Sequence, residues 1–341
     1  MARDISTKLN LRDAAALAVL APLVAEVVAS SNTPAILFPI VVPLYVLVYG
    51  LPALLIRELW VRGRIGWPGF VLLGVAYAAL NEGVIAATWF KITPKHDKVL
   101  VFTAEQAWRV HGVNWAIVAN LSLYHTIWSM LIPIVLIEAW SRRGRGRAWL
   151  PAWAIALAAA IVTLIVLGSL STKATNRVCK APTHAIATQC ADGRRHAALF
   201  ILVAVIVALL LPRWRPRRRT DLKHRRPGDR ALLWIGAGFS IAFLVSYFVL
   251  PLSHHGPASV VTAVALFVAA FTALAMWTRL QAWNLYAATL LAIGAMIPGM
   301  VSSIKAIVFL QPVAVGLFAW YFLRPALRHA AEPADPARPA A

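Results

Sequence analysis

Apolar runs of about one membrane thickness alternate with short polar breaks over nearly the whole of this chain. The runs are 13–31, 35–56, 67–90, 113–139, 149–171, 197–212, 231–251, 257–277, 283–301 and 305–323. A helix needs about 20 mostly apolar residues to cross the hydrocarbon core. The run 197–212 is short and is expected to extend into its flanks. No stretch alternates at period two with the spacing of barrel strands, so helices are expected throughout. The predicted fold is all-α: a polytopic integral membrane protein with about ten transmembrane helices and its N-terminus and C-terminus both cytoplasmic.

Charge sharpens this picture. The chain has 341 residues, 60% hydrophobic and 13% charged, with a formal net charge of +20. A soluble domain carries about 25% charged residues. With the N-terminus inside, the outer segments hold Lys91, Lys95, Lys98, Arg109, Lys173, Arg177, Lys180, Arg194, Arg195 and Lys305. The rest of the 33 Lys and Arg residues fall inside, the bias that sets orientation in a bilayer. The expected partners are therefore the lipid bilayer and, at the basic loops, anionic lipids. Nucleic acid is not expected, and the run RRGRGR at 142–147 reads as an inner-face anchor. The setting implied is an integral protein of a bacterial plasma membrane. Arg3, Lys8 and Arg12 imitate the start of a signal peptide, but Pro22 and Glu26 interrupt the apolar run, so 13–31 is read as a transmembrane helix.

The basic, proline-bearing loop 213–230 divides the chain. Residues 1–212 form a six-helix half that carries the buried polar residues. Residues 231–330 form a four-helix half rich in Ala, Leu, Val and Phe, where Gly294, Pro298 and Gly299 should bend a helix. The tail 331–341 has too little apolar content to fold. The halves show no internal repeat, which counts against an inverted-repeat transporter.

Ionisable residues inside spans are costly and usually face a cavity or a partner. Here they are Glu26, Glu82 and His125, joined by Asn81 and Asn120. Arg57, Glu58 and Glu138 lie at inner helix ends, where they can snorkel to water or headgroups. At about 1.5 Å rise per residue, Glu82 lies roughly 12 Å and His125 roughly 18 Å below the outer edge. Their helices are antiparallel neighbours, so the two side chains can meet. On the later helix, Asn114, Ser122 and Ser129 share a stripe with His125, whereas Asn120 points elsewhere. Tyr77 lies four before Asn81. Together these residues suggest an outward-facing polar cavity lined by Glu26, Asn81, Asn114, Ser122 and Ser129. Such a site can relay protons, pass a solute or ion, or activate water with Glu82 as base and His125 as polarising group. A hydrogen bond that only fixes helix packing, in a structural or partner-binding subunit, is the third reading.

Cys179 and Cys190 fall in one outer hydrophilic loop. Outside is the oxidising side. A bridge there would stabilise the loop by roughly 3 kcal/mol on the chain-entropy model; two free thiols are the alternative. Cys179, His184, Cys190 and His196 match no standard zinc spacing, so no metal is expected. His254 and His255 read as a solvated outer turn, and Trp67, Trp115, Trp149, Trp234 and Trp283 as an interfacial aromatic belt. No HExxH, GxSxG, P-loop or GxGxxG is present, and no cofactor is expected.

The words NEGVIAATWF (Asn81–Phe90) and LYHTIWS (Leu123–Ser129) resemble the CAAX-protease and bacteriocin-processing family of glutamic intramembrane proteases. The resemblance implies Glu82 as catalytic base and His125 as polarising group. That family's pattern has two adjacent glutamates followed by an arginine, and a second histidine with a downstream asparagine. Here Asn81 stands before Glu82, no arginine follows at that spacing, and the second histidine is missing.

Overall fold

The computed structural model describes residues 10–29, 37–90, 108–141, 147–179, 184–211 and 238–277. The spans expected at 283–301 and 305–323, the basic loop 213–230 and the tail 331–341 lie outside the described residues.

Nine helices and one small hairpin make up the described chain. Helix α1 covers 11–29, α2 Phe38–Val61 and α3 Trp67–Ile85. A two-stranded hairpin, β1 Arg109–Val110 and β2 Val113–Asn114, precedes α4 at 115–140. Then follow α5 Ala152–Ser169, the short α6 Thr172–Val178, α7 His184–Leu210, α8 Gly238–Leu252 and α9 Gly256–Trp277. The chain is an all-α, multi-pass membrane protein. Helices α2, α3, α4, α5 and α7 each contain a run long and apolar enough to cross a bilayer, and α8 and α9 carry shorter apolar runs.

Hydrogen bonds sort the helix ends into two groups. At one end, Asn10 donates its amide to Trp149 O at 3.0 Å, and Trp149 donates its own to Glu58 Oε1 at 2.9 Å. Ser141 bonds Asp13 there, and Arg62 bonds Leu150 O. This joins the starts of α1 and α5 to the ends of α2 and α4. At the other end, Asn114 N bonds Trp89 O at 2.8 Å, and Arg194 holds Val84 O at 2.8 Å and Ser169 O at 2.6 Å. The ends of α3 and α5 meet the starts of α4 and α7 here. The helices therefore run up and down in alternation. Leu17, Phe70, Leu123, Ile127, Trp128 and Leu131 fill the centre. Outward leucines on α5 and α7, such as Leu164 and Leu210, remain exposed for lipid.

Five of these helices widen into π-helical turns, at Leu23–Ala29, Val46–Gly50, Ala79–Ile85, His125–Leu131 and Val245–Val249. Sequence explains three of them. Pro52, Pro133 and Pro251 each stand two residues beyond the last residue of a π segment. Proline has no N–H for the carbonyl four residues back, and its ring crowds that carbonyl. The preceding turn opens, and the amide just before the proline bonds five residues back, as Ile132 N does to Ile127 O.

Four expectations change. Arg57 and Glu58 do not snorkel: both are fully buried. Arg57 bonds Glu58 at 2.6 Å and Glu138 through Nε at 2.8 Å, and Glu58 also takes Arg62 at 3.1 Å. Trp149 is a buried residue rather than part of an interfacial belt, because the Arg57 guanidinium lies 3.4 Å over its ring. The connector 147–151 folds across these helix ends and shuts out water. Asn114 belongs to the hairpin, not to the helix, since Asn114 pairs with Arg109. Cys190 and Arg194 lie in α7 rather than in a loop, as that helix reaches back to His184.

Candidate functional site

Four of the π segments converge on one buried polar cluster. Glu26 sits on the first, Tyr49 on the second, Asn81 and Glu82 on the third, and His125 and Ser129 on the fourth. A widened turn displaces side chains from the regular α-helical stripe, and π turns occur often at functional sites. The widening here brings polar side chains from four helices to one place.

At its centre, Glu82 Oε1 lies 3.0 Å from His125 Nε2. His125 Nδ1 lies 2.9 Å from Ser129 Oγ, so both ring nitrogens are engaged. Asn81 Nδ2 is 3.3 Å from Glu82 Oε1 and 3.4 Å from His125 Nε2, and it donates to the Tyr49 hydroxyl at 2.9 Å. Tyr49 in turn donates to Glu26. The two carboxylates are thus joined through Tyr49 and Asn81. Around His125 stand three tyrosine rings: Tyr49 at 6.2 Å, Tyr77 at 5.4 Å and Tyr124 at 5.2 Å between centroids. Tyr124 also donates to Ala25 O at 2.5 Å, tying α4 to the π turn of α1. The imidazole side chain retains 3% of its surface and the Glu82 side chain 13%.

Above the cluster the chain turns sharply. Helix α3 ends at Ile85, and Ala87 adopts a left-handed conformation at φ 55°. That turn carries Thr88 back over Glu82, where its hydroxyl bonds Oε2. Asn114 Nδ2 holds Thr88 O at 3.1 Å, and Arg109 holds Asn114 Oδ1 at 3.1 Å and Phe90 O at 2.8 Å. Partial burial lowers the Arg109 guanidinium from its usual value by desolvation.

The structure therefore brings Glu26, Asn81, Glu82, His125 and Ser129 together. Asn114 joins only at one remove, through Thr88. Ser122 is buried, and its carbonyl accepts from Thr126 at 2.7 Å, but its hydroxyl makes none of the cluster's bonds among the described residues. Asn120 points away, as expected, and bonds Ser259 of α9 at 2.9 Å. Two members were missed from sequence, Tyr49 and Thr88. The signal for Tyr49 was its position in the middle of an apolar run, away from the interfacial levels that tyrosine favours. Among the described residues no group of three or more His, Cys, Asp or Glu side chains is placed to hold a metal ion. Cys179 and Cys190 form a disulfide with Cα atoms 5.7 Å apart, next to Phe90 and Ala87 at the same end of the bundle.

Residues 15–324 match the model of an uncharacterized membrane protein family. The chain belongs to that family. Its matched region takes in the whole cluster, from Glu26 to Ser129, and the disulfide. No curated protein and no solved structure matches the chain significantly.

Proposed function

We propose that this protein moves protons, or a solute or ion coupled to them, across the membrane, with Glu82 and His125 as the proton-exchanging pair. The direct 3.0 Å contact between Glu82 Oε1 and His125 Nε2 carries this reading. A carboxylate and an imidazole in contact at membrane depth are the usual parts of a proton relay. Tyr49, which accepts from Asn81 and donates to Glu26, extends the series to a second carboxylate. In this reading the chain has about ten spans and both termini are cytoplasmic. The disulfide end then faces the oxidising exterior, and the polar site opens toward that side as a small cavity. The basic loops, 213–230 above all, rest on anionic lipid of a bacterial plasma membrane.

A second reading is a glutamic intramembrane hydrolase with Glu82 as base and His125 as polarising group. The greater accessibility of Glu82 (13% against 3% for His125) favours it, because a base must reach water. So does the resemblance of Asn81–Phe90 and Leu123–Ser129 to the CAAX-protease family. A base that activates water usually meets its polarising partner through that water, and direct contact suits proton exchange better.

The test uses purified protein in liposomes loaded with a pH-sensitive dye, under a potassium–valinomycin potential. Wild type should acidify or alkalise the lumen faster than empty vesicles, and Glu82→Gln and His125→Gln should abolish the excess. Equal flux in wild type and Glu82→Gln overturns the reading. Cleavage of a transmembrane peptide library, lost in Glu82→Gln, would establish the hydrolase instead.

A further inference from the structure

We infer that Thr88 is a positioning residue for Glu82: its hydroxyl occupies one carboxylate oxygen and leaves the other to exchange a proton with His125. The inference rests on the proton-exchange reading above. Thr88 follows the left-handed Ala87, so its place over Glu82 comes from a turn that non-glycine residues rarely adopt. Ala87 is fully buried, and packing holds this conformation. Backbone and side-chain bonds fix the turn from both sides. Trp89 N reaches Glu82 O at 3.4 Å, and Asn114, itself held by Arg109, takes Thr88 O.

A hydroxyl has one proton to donate. Two acceptors stand within reach, Glu82 Oε2 and Glu82 O at 3.3 Å, and the carboxylate oxygen is the nearer. Hydrogen-bonding groups of the described residues stand at both oxygens of Glu82. Oε1 meets His125 Nε2 and Asn81 Nδ2; Oε2 meets Thr88. Tyr49, Tyr77 and, on α8, Tyr247 are further ionisable groups within electrostatic reach. A proton placed on Oε2 would make the Thr88 hydroxyl give up its bond to the carboxylate and turn its hydrogen to Glu82 O, 3.3 Å away. A proton placed on Oε1 lies already on the path to the imidazole. Thr88 thereby directs the proton to the oxygen from which His125 can take it. Loss of the hydroxyl removes a charge-assisted bond that stabilises the ionised carboxylate, so the protonated form gains ground.

Dicyclohexylcarbodiimide, which reacts with protonated carboxyl groups in apolar surroundings, reports this directly. The full chain in detergent micelles is labelled at fixed pH, and the Glu82 adduct is followed by peptide mass spectrometry. Thr88→Val, equal in shape but without a donor, should label about tenfold faster than wild type. Thr88→Ser, which keeps the donor, should return to the wild-type rate. Thr88→Ala, which fits without strain, should follow valine. Equal rates in wild type, valine and alanine variants, or a serine variant as fast as valine, overturn the inference. A Glu82→Gln protein with undiminished proton flux would sink the functional reading while leaving the labelling contrast among Thr88 variants intact, so the two failures are distinguishable.

Discussion

Gly74 sets how closely α3 approaches α4, and alanine there should loosen the site from a distance. A Cβ at Gly74 would lie 2.4 Å from Thr126 Cγ2, 2.7 Å from Oγ1 and 2.9 Å from Cβ. Ordinary carbon contacts lie at about 3.5–4.0 Å, so the helices must part by about 1 Å. Thr126 cannot rotate away cheaply: it is fully buried, stiff about χ1, and its hydroxyl bonds Ser122 O at 2.7 Å. Overpacking of this kind costs about 1–3 kcal/mol. Thr126 directly follows His125, and Glu82 lies two turns beyond Gly74 on the same helix. The separation therefore acts on the 3.0 Å Glu82–His125 contact and should lower proton flux as well as stability. Reversible unfolding in mixed micelles, followed by tryptophan fluorescence, measures the first effect. A cycle with Thr126→Ala isolates the pair and should give a coupling of about 1 kcal/mol. If Gly74→Ala matches wild type within about 0.3 kcal/mol, or if the two changes simply add, the close-approach argument is wrong.

The buried charges at the opposite end give a second contrast. Glu58→Leu takes the shared carboxylate from Arg57, Arg62 and the Trp149 amide, leaving Arg57 its bond to Glu138, and should cost about 3 kcal/mol; Arg62→Ala removes a partner that is 28% exposed, leaves Glu58 its bonds from Arg57 and Trp149, and should cost clearly less in the same unfolding assay. Replacing both Cys179 and Cys190 by serine should lower stability by about 3 kcal/mol, with little further change on adding reductant. Ala87→Gly should be tolerated at its φ of 55°, while Ala87→Val should destabilise the turn and raise the carbodiimide reactivity of Glu82, as loss of the Thr88 hydroxyl does.

Within the described residues, helix positions could be read from the sequence because a bilayer imposes one length and one polarity on every span. The meeting of Glu82 and His125 followed from the same regularity, by counting residues down two antiparallel helices. What escaped was local. The unbroken apolar run 67–90 reads as one helix, which hides the turn at Ala87 and with it Thr88. Helical counting puts Asn114 on the His125 stripe, but the hairpin with Arg109 turns its amide toward Thr88 instead. Arg57 and Glu58 look like snorkelling end residues until the connector carrying Trp149 closes over them, a contact ninety residues away in sequence that no local pattern encodes. The π turns had a sequence signature in Pro52, Pro133 and Pro251, but proline in a membrane helix also signals a kink, and only the folded chain decides between them. The third π turn, Ala79–Ile85, holds both Asn81 and Glu82 and has no proline within it or just beyond it.

The proposed function depends most on Glu82 and His125 sharing a proton. The ¹⁵N resonances of the His125 ring, recorded by solid-state NMR on specifically labelled protein in lipid, test that contact. Wild type should show an Nε2 shift that moves on Glu82→Gln, with Nδ1, held by Ser129, moving less. An Nε2 resonance identical in the two proteins would contradict the pair and the function built on it.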